Sequence, residues 1–117
     1  MVDGTYEKAF AAIESDPRNE MLVPVDGDTV LGCLQATCIP GLGKHGEERA
    51  LIEAVRIRAD RRGGGLGREL MQQAVDRARL RGCGLMQPTS NKRRTDAHRF
   101  YESLGFARSH EGSELAL

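Results

Sequence analysis

Arg62-Gly63-Gly64-Gly65-Leu66-Gly67 stands between an apolar run with strand character and an amphipathic stretch with helical spacing, and its reading decides the fold. Glycines at such a junction let backbone N–H groups approach an anion closely, and the N-terminus of the next helix adds partial positive charge. Spacing separates this turn from other glycine-rich phosphate loops. A Walker A loop requires Lys and Ser/Thr after its last glycine, whereas Gly67 is followed by Arg68 and Glu69. The dinucleotide fingerprint G-x-G-x-x-G also fails, because Gly63-x-Gly65 leads to Arg68 and Gly65-x-Gly67 leads to Leu70. What remains is Arg-x-x-Gly-x-Gly, a spacing that reads as a pyrophosphate cradle or as a flexible strand-to-helix turn.

Downstream of the turn, Leu70, Met71, Ala74, Val75 and Ala78 form a stripe at helical spacing, which predicts a helix over 65–81 closed by Arg81-Gly82. Upstream, 51–59 reads as a strand. Its alternation puts Leu51, Glu53, Val55, Ile57 and Ala59 on one face and Ile52, Ala54, Arg56 and Arg58 on the other, leaving Glu53 as the one carboxylate on an apolar face. Residues 83–89 supply a short strand in which Pro88 argues for an end or a splayed edge. The stretch 51–89 is therefore a β-α-β unit with parallel strands.

Further out, Tyr6, Phe10 and Ile13 mark a helix ended by Asp16-Pro17. Residues 21–25 and 29–37 read as a hairpin turned by Asp26-Gly27-Asp28, and 40–46 is a loop by composition, open to a lid role. Thr95 or Asp96 can cap a short helix presenting Ala97, Phe100, Tyr101 and Leu104, with Gly105 as its stop. Strands are expected at 106–109 and 113–117.

The 117 residues make a single domain. Seventeen basic and seventeen acidic residues cancel, so no global field recruits nucleic acid or an anionic membrane, and any electrostatic function is local. Arginine gathers at Arg56, Arg58, Arg61, Arg62 and Arg68 around the glycine turn. The second basic run, Lys92-Arg93-Arg94, is a weak basis for nucleic-acid binding in a neutral chain poor in aromatics. Cys33, Cys38 and Cys83 form an odd count without C-x-x-C, so neither a disulfide framework nor a metal site is expected. The apolar runs are too short to span a bilayer and the N-terminus has no signal-peptide character, which gives the reducing cytoplasm as the expected compartment.

From Leu51 to Phe106 the succession of strand, Arg62-x-x-Gly65-x-Gly67, helix, Gly82, strand, Asn91 and then Phe100-Tyr101-Glu102-Ser103-Leu104-Gly105-Phe106 resembles the two best-known motifs of the GNAT superfamily of N-acetyltransferases, in order and spacing. The resemblance covers about half of the chain. It implies an α/β (α+β) fold over 1–117: a mixed, mostly antiparallel central sheet with one parallel splayed strand pair and flanking helices, lacking the family's first strand and helix. It further implies acetyl-CoA as co-substrate, no metal, and direct transfer in a ternary complex to a primary amine of a small-molecule or peptide acceptor. On that basis Arg62, Gly63, Gly64, Gly65, Leu66 and Gly67, with Arg68 beside them, would hold the CoA pyrophosphate. Backbone groups of Val55, Arg56 and Ile57 would pair with the pantetheine arm, Asn91 would hydrogen-bond that arm or the loop, and Tyr101 would protonate the departing thiolate.

The chemistry asks for an uncharged amine, a donor for the oxygen that gains charge, and an acid near the sulfur. A phenol, titrating near ~10, is matched to an alkyl thiol. Tyr101 also reads as a packed aromatic, since it shares a helical face with Phe100 and Leu104. Glu53 could take the ammonium proton, directly or through water, or could anchor an arginine such as Arg56. His45 and His98 carry no assigned role. A module that keeps this fold and binds CoA or a partner without catalysis is the alternative reading. An incomplete sheet edge favours a homodimer.

Overall fold

The structure, a computed structural model, describes residues 4–89, 95–109 and 112–117. Chain order is α1 (Thr5–Ser15), β1 (Asn19–Leu22), β2 (Val25–Asp26), β3 (Thr29–Val30), β4 (Gly32–Ile39), β5 (Arg49–Ile57), α2 (Leu66–Arg81), β6 (Leu85–Pro88) and α3 (Thr95–Ser103), with 3-10 turns at Lys44–Gly46 and Ala59–Arg61. The main sheet runs β1-β4-β5-β6, antiparallel except for the parallel β5–β6 pair, and β2–β3 form a separate two-stranded ladder. This is the expected mixed sheet with one parallel pair. The predicted hairpin is present, with its pairing interrupted at Pro24, which has no N–H to give; there the Pro24 carbonyl instead accepts from Leu31 N at 2.9 Å.

Helix α2 packs on one face of the sheet. Its Leu70, Met71 and Ala74 close over Leu34 and Ile52, both fully buried, and Leu22, Ala36, Met86, Tyr101, Leu104 and Phe106 pack around them. Burial of that stripe, at roughly 25 cal/mol per Å² of apolar surface, is what holds an otherwise polar helix in place. On the helix's outer flank Arg77 donates to both carboxylate oxygens of Glu20 on β1, at 2.6 and 2.8 Å, and Arg81 donates to the Pro17 carbonyl. The hydrogen bonds from Arg77 hold the Glu20 carboxyl below its ordinary 4.5. A depressed carboxylate stabilises the fold above its unfolded pKa and stops doing so as pH falls through the folded value. The difference in Tm between wild type and Glu20→Gln should therefore be largest at neutral pH and close up on acidification, which a thermal-melt series against pH will check.

The alternation expected in β5 is overturned halfway along. Gln35 pairs with Glu53 but Cys33 pairs with Arg56, so β5 carries one extra residue, and Ala54 takes a left-handed φ of 54°. This is a β-bulge. Ile52 faces α2 before it, and Val55 and Ile57 face α2 after it. Leu51 and Glu53 therefore do not share a face with Val55 and Ile57, and Glu53 stands exposed on the side away from α2. The bulge is held by the Cys33 thiol, which donates to the Ala54 carbonyl at 3.3 Å.

Gly32 sits where β4 meets this bulge, and a Cβ there would run into the Arg56 backbone oxygen. Gly32→Ala should cost about 1–3 kcal/mol, the usual range for overpacking. Gly43→Ala, with open space around it, should leave denaturant midpoints near wild type.

The two final strands are not formed: 106–109 and 112–117 have no regular structure. The Phe106 amide is spent on the end of α3, donating to the Tyr101 carbonyl at 3.1 Å while Gly105 N donates to Glu102 O. That pattern is a Schellman closure, and it removes a donor a strand would use. Helix α1 contacts β1 but buries none of its residues, and Tyr6 and Phe10 remain exposed. No helix among the described residues is long and apolar enough to cross a membrane.

Candidate active site

The β5–β6 ladder runs from Arg49–Leu85 to Ile52–Pro88, and the Thr89 amide adds one more bond to the Ile52 carbonyl at 3.3 Å. Pro88 stands opposite Ile52 with its own nitrogen turned to the open edge of the sheet, since the Ile52 carbonyl takes its bond from Thr89, so an edge strand tolerates the missing donor. Beyond this point β5 continues to Ile57 while β6 has ended, so the β5–β6 ladder stops just before the bulge at Ala54.

Five residues after β5 comes the glycine turn. Gly63 and Gly65 have φ of 84° and 85°, conformations that favour glycine, and a Cβ at either would meet nothing within 4 Å. Residues 62–65 are exposed. Gly65 is the N-cap of α2 with no side-chain cap, and helical bonding begins with Glu69 N donating to Gly65 O at 3.0 Å. The amides of Leu66, Gly67 and Arg68 thus precede the ladder, at the positive end of a sixteen-residue helix. Gly63 and Gly65 face open space, whereas Gly67 faces the Phe100 ring.

Around it the arginines divide into two sets. Arg58 pairs with Asp60 at 3.0 Å and Arg61 with Asp26 at 3.1 Å. Among the described residues Arg56, Arg62 and Arg68 pair with no carboxylate. Arg62 Nε donates to the Ile57 carbonyl, Arg56 Nη1 to the Val55 carbonyl, and Arg68 Nη2 to Ser103 Oγ on α3. Arg68 is therefore turned toward α3. Two of the three β5 carbonyls proposed for ligand pairing are covered by exposed arginine side chains, bonds weak enough for a ligand to displace.

Tyr101 lies half-buried on α3, its ring 5.6 Å from that of Phe100 and 6.0 Å from that of Phe106, the latter edge-on. Phe100 reaches the first turn of α2, where a Cβ on Gly67 would lie 3.5 Å from its Cζ and 3.8 Å from Ile57 Cγ1. Glycine turn, β5 end and α3 are thereby brought to one place. Tyr101 packs on the α2 side of β5, and Glu53 projects from the opposite side. Asn91, with Lys92, Arg93 and Arg94, lies outside the described residues. The signal that sequence reasoning missed is the Ala54 bulge, which decides on which side of the sheet each β5 side chain stands.

A mixed sheet with one parallel pair, flanked by helices and with a glycine turn leading from β5 into the N-terminus of α2, defines an α+β domain. The description "Acetyltransferase (GNAT) family" matches residues 2–106, and the chain belongs to that family. No curated protein matches the sequence. Among solved structures, a transcriptional regulator from Bacillus halodurans C-125 is 44% identical with TM-score 0.95, over 99% of this chain and 77% of that one. An acetyltransferase of Trypanosoma brucei shares the fold at 23% identity and TM-score 0.81, over 100% of this chain and 82% of its own. So does AAC(6')-Iy in complex with the bisubstrate analog CoA-S-monomethyl-acetylneamine, at 14% identity and TM-score 0.86, over 99% and 80% of the two chains.

Proposed function

We propose that this protein is an acetyl-CoA-dependent N-acetyltransferase that moves the acetyl group directly to a primary amine within a ternary complex. The observation that carries the reading is the open glycine turn at the start of α2, without a side-chain cap, near the point where the β5–β6 ladder ends. What supports a diphosphate there is physical: amides at a helix N-terminus and arginines that pair with no carboxylate among the described residues.

In this reading Arg62 to Gly67, with Arg68 beside them, hold the pyrophosphate. The backbone of Val55, Arg56 and Ile57 then orients the thioester arm along the edge of β5 that β6 no longer covers. A backbone N–H there donates to the thioester oxygen as it gains charge. Tyr101, on the α2 side, gives its proton to the departing sulfur. Glu53, on the other side, takes the proton of the incoming ammonium, directly or through a water. Acid and base so approach one gap from two faces, which keeps them from neutralising each other. Asn91 is retained as a ligand to the pantetheine or the loop.

The acceptor is a small-molecule or peptide amine, in line with the acetylated amine in the ligand bound to AAC(6')-Iy. The protein is read as cytoplasmic and as forming a homodimer along its incomplete sheet edge. Acetyl-CoA-dependent release of free thiol, screened across amines, amino acids and peptides, tests the enzyme reading. A second reading has one observation in its favour, the 44% identical relative described as a transcriptional regulator: a module that binds CoA or a partner without turnover. Saturable acetyl-CoA binding without thiol release for any acceptor decides for that module.

A further inference from the structure

At the end of the sheet opposite the point where the β5–β6 ladder stops, the fold assembles a cluster that no chain motif announces. Cys38 lies near the end of β4, Glu48 immediately before β5, and Cys83 between α2 and β6. Sheet register brings them together, since Cys38 pairs with Ala50 and Ala50 with Met86. The Cys38 and Cys83 sulfurs are 3.4 Å apart, and with a Glu48 carboxylate oxygen all three donor atoms fall within 4.8 Å of one another. Cys38 is buried and the other two are half-buried.

Two thiols and a carboxylate facing one point are an ill-matched set on their own. None of the ion pairs among the described residues includes Glu48. A divalent cation resolves the mismatch, because the carboxylate that opposes a bare thiolate becomes a fellow ligand. Two sulfurs with one oxygen suit a borderline-soft ion of the zinc type over magnesium or calcium. With Zn–S bonds of about 2.3 Å and tetrahedral angles the sulfurs stand roughly 3.8 Å apart, a few tenths from the separation found. A disulfide asks for closure to about 2.0 Å, far inside the 3.4 Å separation found.

We infer that Cys38, Cys83 and Glu48 form a zinc-type metal site, completed by a water, that ties together the end of β4 and the entries to β5 and β6. Its place, remote from the point where the β5–β6 ladder stops, makes it a structural clasp with no part in the transfer chemistry.

The test uses the whole chain, stripped with chelator, and zinc as the added ligand. Calorimetry and native mass spectrometry should find one zinc per chain, thermal stability should rise with it, and cadmium should give a thiolate charge-transfer absorption. Cys83→Ser should lower zinc affinity at least ~100-fold, given that even outer-shell changes cost about 10–100-fold. Cys33→Ser, which alters the thiol bonded to Ala54, should bind as wild type. Alkylation of the wild-type chain needs no variant: zinc should shield Cys38 and Cys83 and leave the rate at Cys33 unchanged. Absence of that shielding, zinc affinity indifferent to Cys83→Ser, or a Cys38–Cys83 disulfide as the resting form in air overturns the site.

Discussion

Tyr101→Phe is expected to lower kcat for acetyl transfer by ~10²–10⁴-fold, the range for removing a positioned general acid, with the Kd for acetyl-CoA unchanged. The substitution deletes the hydroxyl and keeps the ring. Tyr101 owes its position to the tilted contact with Phe100, the edge-on contact with Phe106 and packing against the α2 core, all of which phenylalanine can make. A thermal-melt comparison of the two proteins separates a chemical loss from a folding defect. An acid is needed only where the leaving thiolate is basic. Acetyl thioesters of more acidic thiols should therefore narrow the gap between the two proteins, a signature that a packing defect does not produce. Equal kcat values for wild type and variant would return Tyr101 to the role of a packed aromatic.

What the sequence made legible follows from where local chemistry dictates geometry. The glycine turn, α2 with its Gly82 closure, the hairpin around Gly27 and the stop at Gly105 are specified by residues whose backbone preferences are strong. The parallel pair followed from the single helix between two apolar runs. Pro88 stands as the last residue of β6, an edge strand, where a proline is tolerated. The bulge was hidden for a matching reason. Alanine at φ 54° carries no turn signature, and the period-two pattern of 51–59 continues past it unbroken, so the face of Glu53 was inverted relative to Val55 and Ile57. The final strands failed because Phe106 looks like a strand residue until its amide is needed to close α3. The cysteine cluster depends on register between three strands, and register between distant segments is not written in any local spacing.

Arg62→Glu is expected to weaken acetyl-CoA binding by about 10–100-fold, the equivalent of a charge-assisted hydrogen bond worth about 1.5–3 kcal/mol. Not every arginine near the turn should behave so. Arg58 and Arg61 already spend their charge on Asp60 and Asp26, whereas Arg62 touches only the Ile57 carbonyl through Nε and has no carboxylate partner among the described residues. Reversing its charge therefore removes a cation directed at phosphate and places an anion beside it. Arg58→Gln should fall well short of that effect. The loss at Arg62 should shrink as salt rises, because an exposed charge loses its reach with screening, and binding should persist at a reduced level through the backbone amides at the start of α2. Inorganic pyrophosphate gives an independent probe of the same turn. It should compete with acetyl-CoA on the wild-type protein and compete poorly on Arg62→Glu. Calorimetry showing equal acetyl-CoA affinity for the two proteins at low salt would remove the glycine turn from the binding site, and with it the ground for placing the thioester beside β5.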